Sequence, residues 1–115
     1  MEPILRGEIY NAALYNTVGS EQAGFRPVLI LQADLLNQNS PTVIAAPITS
    51  QIKLPFLQAH FILDGRCPLH ERSMVLTEQI RTVDKRRLGA YIGRLSANDM
   101  SGVEQALCYT LGLTS

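Results

Sequence analysis

Tryptophan is absent from these 115 residues, and three phenylalanines and four tyrosines supply all the aromatic surface. No apolar run approaches the ~20 residues needed to cross a bilayer. Met1 to Arg6 lacks the basic start and long apolar stretch of a secretory leader, so a cytoplasmic address is expected. Cysteine is scarce. Cys67 and Cys108 form no CxxC pair and have no histidine at zinc-ligand spacing, so two free thiols are expected, with no metal and no other cofactor. There is no repeat, low-complexity tract or Ser/Pro linker. Net charge is also absent, since ten basic residues balance ten acidic ones, which speaks against a strongly electrostatic nucleic-acid binder.

What is present describes an ordinary globular chain, 46% hydrophobic and 17% charged. A chain of this size buries roughly 65% of its unfolded surface, enough for one core without crosslinks, so residues 1–115 are read as a single domain. The charge is unevenly placed. Arg81, Lys85, Arg86, Arg87 and Arg94 are five of the ten basic residues, opposed locally by Asp84 alone. A neutral total can hide a basic face, although a solvated charged loop would read the same way.

Short strand-like runs alternate with turn-rich loops. Glu8–Ala12, Pro27–Leu31, Thr42–Thr49, Ala59–Leu63, Ser73–Ile80 and Ala90–Leu95 give six predicted strands. Pro27–Leu31 is apolar throughout, as expected of a strand buried on both faces, and Pro47 implies a bulge or edge. The segment from Asn37 to Pro41 reads as a loop. The period then changes. Ser96 can cap a helix with Asp99 three residues on, Met100, Val103, Leu107 and Leu111 form an apolar stripe, and Gly112 can end it. Several short strands followed by one helix predict a mainly β fold, a small, strongly bent sheet closing into a barrel with the helix over one opening.

The stretch Gly19-Ser20-Glu21-Gln22-Ala23-Gly24-Phe25-Arg26-Pro27 sets a hydroxyl, a carboxylate, an amide and a guanidinium between two strands. Pro27 disfavours helical backbone at Arg26 and holds it extended at a strand mouth, where it suits a fixed anion contact. An ion pair with Glu21 that ties the loop down is the alternative. His60 and His70, separated by a Gly/Pro loop, could converge as an acid–base pair or be unconnected histidines. Leu54-Pro55-Phe56-Leu57 could enclose a ligand or anchor a loop.

Four segments occur in the order found in the MazF/PemK family of endoribonuclease toxins. They are Arg6-Gly7-Glu8-Ile9-Tyr10, Gly19-Ser20-Glu21-Gln22-x-Gly24-x-Arg26-Pro27, Pro47-Ile48-Thr49-Ser50-Gln51, and Leu76-Thr77-Glu78-Gln79-Ile80-Arg81-Thr82-Val83-Asp84-Lys85. The chain resembles that family from about Arg6 to the C-terminal helix, and the second segment is the specific one. The resemblance implies an SH3-like barrel and metal-free cleavage of single-stranded RNA by attack of a ribose 2′-OH on its own phosphate. It matches Arg26 to the family's catalytic arginine, for charge stabilisation with proton donation as an open role. It matches Thr49 to the catalytic threonine, which would orient the phosphate. Glu21 is a candidate proton acceptor, or else a holder of Arg26 or a base reader. Ser20, Gln22, Glu78, Gln79 and Arg81 are expected to contact RNA. The partners implied are a second copy of the chain, forming a homodimer, and an antitoxin with an acidic, disordered C-terminal tail. Operator DNA would be reached only through the antitoxin complex. Two rivals share the fold: a toxin that poisons gyrase without catalysis, and an inactive member that only binds. The intact loop motif and the featureless tail Leu113-Thr114-Ser115 speak against the first, and the matching Arg26 and Thr49 against the second.

Overall fold

A computed structural model describes residues 3–15, 17–65 and 68–113. Cys67 and the tail residues Thr114 and Ser115 lie outside that set; Cys108 is a free thiol. Seven strands form one antiparallel system: β1 (Glu8–Leu14), β2 (Gly24–Ile30), β3 (Thr42–Thr49), β4 (His60–Leu63), β5 (Ser73–Leu76), β6 (Arg81–Asp84) and β7 (Leu88–Arg94). Helix α1 (Asp34–Asn39) joins β2 to β3, and α2 (Ala97–Leu111) follows β7. The strand order is β4-β5-β3-β2-β1-β7, with β6 also on β3. The chain is mainly β with a C-terminal helix, as expected, but the sheet is not closed into a barrel: β4 and β7 stand at the two ends of that order.

Strand β3 organises the sheet. Thr42 to Ala45 pair with β6, whereas Ile48 and Thr49 pair with β5. The exchange of partners falls at Ala46 and Pro47, and a proline has no N–H to donate, so the sheet can turn there without losing a ladder bond. On its other side β3 pairs with β2 through Val28↔Pro47, Leu29↔Ala46 and Ile30↔Ala45. The apolar run of β2 is buried on both faces, as read from the sequence, and each face has its own core. Ile9, Leu29, Ala46, Ile48 and Val75 pack under Met100 and Val103 of α2. Ala12, Leu14, Val28, Ile30, Val43, Ala45 and Val83 fill the other face.

The helix begins and ends as its sequence dictates. Ser96 Oγ accepts from the Asp99 N–H at 3.1 Å, and Gly112 at φ 70° closes the last turn with Leu113 N donating to Cys108 O. The stripe differs in detail. Met100 and Val103 are buried, Ala106 joins them, Leu107 is partly buried against the same core, and Leu111 is half exposed. Gly102 lets the helix approach β4, since a Cβ there would sit 2.0 Å from Phe61 Cε1. Overpacking costs about 1–3 kcal/mol, more than the ~1 kcal/mol helix propensity that alanine adds over glycine. Gly102→Ala is therefore expected to lower the denaturant midpoint; an unchanged or raised midpoint would show that Phe61 moves aside freely.

Three further expectations need correction. Asn37 to Asn39, read as loop, belong to α1. Ser73–Ile80 is not one strand, because β5 ends at Leu76 and a 3-10 turn, Thr77–Gln79, leads into β6. Arg81 to Asp84 form that additional strand, and the last strand starts earlier than read, at Leu88.

Candidate active site

The loop between β1 and β2 folds back on itself. Glu21 Oε1 accepts from the Val18 N–H at 2.9 Å, while the Glu21 N–H donates to Val18 O. Gly19 and Gly24 take positive φ of 59° and 82°, which lets the chain reverse and then enter β2. Gln79, on the 3-10 turn, holds this loop with both ends of its amide. Its Oε1 accepts from Gln22 N at 2.8 Å, and its Nε2 donates to Ser20 O at 3.4 Å. Two segments far apart in sequence are thus fixed side by side.

Their junction is a cavity of about 210 Å³ lined by Glu21, Gln22, Pro47, Glu78, Gln79, Ile80 and Arg81. Five of the residues singled out from the sequence converge here, and Ser20 is joined to the same wall through its carbonyl. Pro47 and Ile80 were not expected as lining residues. Their only signal was membership of the two segments that carry the family resemblance. The side-chain oxygen of Gln22 is buried without a hydrogen-bond partner among the described residues, an arrangement that costs about 1–3 kcal/mol until a donor arrives.

Arg26 lies opposite Ala12 of β1. Its Nε donates to Ala23 O at 2.9 Å, which leaves the two terminal nitrogens without a partner among the described residues. The Glu21–Arg26 ion pair considered as an alternative does not form; Glu21 is occupied by the loop backbone. Thr49 closes β3, only 5% exposed, with its Oγ1 accepting from Gln51 N at 3.1 Å and its hydroxyl proton free to donate. The β2–β3 ladder ends at Val28↔Pro47, with Arg26 and Thr49 each two residues beyond that pair. Alternation of side chains along each strand puts both residues on the sheet face of Pro47, which lines the cavity.

The two histidines do not converge. His60 and Leu63 are paired with Leu76 and Ser73, so His60 lies at one end of the β4–β5 hairpin and His70 in the loop at the other. His60 is bonded to Glu78 (2.5 Å) and to Leu54 O (3.1 Å). His70 lines a separate cavity of about 290 Å³ with Pro27, Ile48 and Ser50, residues of the opposite face. Leu54 and Phe56 are 70% and 95% exposed.

The basic run is divided among several tasks. Arg81 faces the cavity, Lys85 Nζ donates to Asn37 O, and Arg87 reaches Ala13 O. Arg86 pairs with Asp84 at 3.0 Å, and that guanidinium together with the Arg86 N–H holds the Asp84 carboxyl down at about 2. The depressed value means this contact is complete above the ordinary carboxylate range and is lost only as the pH falls toward 2. Among the described residues no group of three or more His, Cys, Asp or Glu could hold a metal ion, and no helix is long and apolar enough to cross a membrane.

A guanidinium with two terminal nitrogens unpaired among the described residues, a buried hydroxyl, and a cavity walled by amides and carboxylates give this small antiparallel-sheet protein a surface suited to a ligand rich in hydrogen-bonding groups. Residues 5–111 match the family described as the PemK-like, MazF-like toxin of type II toxin–antitoxin systems, and the chain belongs to that family. Endoribonuclease EndoA of Bacillus subtilis strain 168 is 46% identical over 111 residues, which cover 96% of each chain. Among solved structures, MazF of Deinococcus radiodurans superposes with a TM-score of 0.83 at 26% identity, over 98% of this chain and all of that one. A mycobacterial endoribonuclease in complex with its cognate antitoxin gives 0.82 at 26% identity, over 97% and 98% of the two chains.

Proposed function

We propose that the whole chain, residues 1–115, is one domain serving as the toxin of a toxin–antitoxin pair, a cytoplasmic endoribonuclease that cuts single-stranded RNA at a short sequence. The observation that carries this reading is the cavity where Gln79 pins the loop at Ser20 and Gln22 beside Glu78 and Arg81, with Pro47 in its lining and Arg26 and Thr49 each two residues beyond the Val28↔Pro47 pair. The free ends of Arg26 suit the two non-bridging oxygens of a phosphodiester, and the Thr49 hydroxyl can donate to the same phosphate and fix its orientation. The ribose 2′-oxygen then bonds to phosphorus as the bond to the 5′-oxygen breaks. Glu21 is exposed, and its second carboxylate oxygen has no partner among the described residues, so it is available to take the 2′-OH proton. Arg26 stabilises the charge that builds on the phosphorane, and the departing 5′-oxygen takes its proton from water. The products are a 2′,3′-cyclic phosphate and a 5′-hydroxyl.

Ser20, Gln22, Glu78, Gln79 and Arg81 provide donors and acceptors suited to the edges of unstacked bases. Incubation with a long single-stranded RNA, with and without EDTA, tests the reading; equal cleavage in both is expected. Loss of cleavage in EDTA that added magnesium restores would replace the 2′-OH mechanism with a metal-dependent one.

The protein acts as a homodimer, whose contact can cover strand edges left open at β4 and β7. The antitoxin's acidic tail occupies the same cavity as RNA, attracted by Arg26 and Arg81. A titration with the cognate antitoxin peptide and an uncleavable 2′-deoxy oligonucleotide is expected to show mutual exclusion. Simultaneous binding of both at full affinity, or a monomeric mass at micromolar concentration, would each overturn its part of this scheme.

A further inference from the structure

His60 is absent from the chemistry above, yet it is bound more tightly than a surface histidine needs to be. Its side chain is 5% exposed and ties the Leu54 turn to Glu78, which lines the cavity. Nε2 meets Glu78 Oε2 at 2.5 Å and Nδ1 meets Leu54 O at 3.1 Å. The ring thereby bridges the Leu54 carbonyl and the Glu78 carboxylate. Leu54 is the only non-glycine residue of positive φ among the described residues, at 52°, and this strained turn is what aims its carbonyl at the ring.

On the far side of Glu78, Thr77 is fully buried, and its hydroxyl bonds Ala59 O and the Thr110 hydroxyl of α2. The 3-10 turn is thus fastened from below by Thr77 and from the side by His60. Glu78 lines the cavity, and its Oε1 has no partner among the described residues.

We propose that His60 is a positioning residue for sequence recognition: by holding one oxygen of Glu78, it aims the other at a base carrying an exocyclic amino group. A carboxylate oxygen accepts from the amine of cytosine, adenine or guanine, whereas uracil has carbonyl oxygens at those positions and only its ring N3–H to donate, so it is disfavoured where the amine is read. The backbone of the strained Leu54 turn locks the ring, so the direction of Glu78 is set by the fold rather than by the ligand. The inference rests on the ribonuclease reading and deepens it.

The test uses short RNAs that carry the motif cut by the wild-type dimer, each base varied in turn, with wild type, His60→Gln, Glu78→Gln and the double variant. Glu78→Gln is expected to reduce discrimination against uracil at one motif position on the order of tenfold, the scale of one hydrogen bond to a charged group. His60→Gln should reduce it at that same position, through KM rather than kcat, and the double variant should lose no more than Glu78→Gln alone. A uniform loss across all RNAs, or a change at a different position, overturns the proposal and leaves the ribonuclease reading standing. No cleavage of any RNA by wild type overturns that reading instead. If His60→Gln does not fold, ring ¹⁵N signals of the wild-type protein decide. The His60 signals should move when an uncleavable 2′-deoxy oligonucleotide with an amino-bearing base is added, and less with uracil at that position. Identical responses to the two bases would overturn the proposal.

Discussion

Arg26→Ala and Thr49→Ala are each expected to reduce RNA cleavage at least ~10²-fold, the loss that follows removal of one transition-state contact. The folded state should survive both changes. Arg26 donates one bond to the backbone, from Nε to Ala23 O, and Thr49 Oγ1 accepts one from Gln51 N. Losing such a bond costs about 1 kcal/mol, well within the stability of a typical domain. Arg26→Lys separates charge from geometry, because lysine keeps the positive charge but lacks the planar fork that grips two phosphate oxygens. A partial recovery over Arg26→Ala is expected. Single-turnover rates, alongside circular dichroism and thermal melts, make the measurement. Turnover near wild type in Arg26→Ala would remove it from the mechanism.

A substrate with 2′-deoxyribose at the scissile position should resist cleavage altogether while binding almost normally, since only its nucleophile is missing. No other substitution tests the reaction so directly, because it leaves the protein untouched. Binding is read by competition with labelled RNA, and chain ends by whether the upstream fragment carries a cyclic phosphate. Efficient cutting of the deoxy substrate would require water as the attacking group, and Glu21 would then activate water rather than the 2′-oxygen.

Sequence reasoning reached most of this site and less of the framework around it. Ser96, Asp99 and Gly112 mark their helix because capping is local chemistry, decided within one turn. The β2 run from Val28 to Ile30 declares its double burial by composition alone. Helix α1 gives no such signal. It has six residues, too few to form alone, and exists because buried Asn37 exchanges hydrogen bonds with Gln32 while Lys85 takes its carbonyl. Gln32 is only five residues away, but Lys85 lies across the fold, and no periodicity encodes either bond. The division of Ser73–Ile80 into strand and turn has the same origin, since Thr77 is drawn inward by Ala59 O and Thr110. Among the site residues, the gathering of Gln22, Glu78, Gln79 and Arg81 was legible only through family resemblance. His60 as the partner of Glu78 was not legible at all, because the pairing depends on where β4 ends against β5.

The amide of Gln79 bonds the N–H of Gln22 and the carbonyl of Ser20, the same two flanking groups that a neighbouring strand would engage around Glu21. A side chain thereby imitates a peptide, and the loop is held as if stitched to one more strand. The same donor and acceptor would fit the adjacent amine and ring nitrogen of an adenine or a cytosine. If a base engages Gln79 as proposed, loop and base would compete for one functional group, and the loop would act as an internal inhibitor. Affinity for RNA is then measured against this internal competitor rather than against water, so a change that merely loosens the loop can tighten binding without adding a contact.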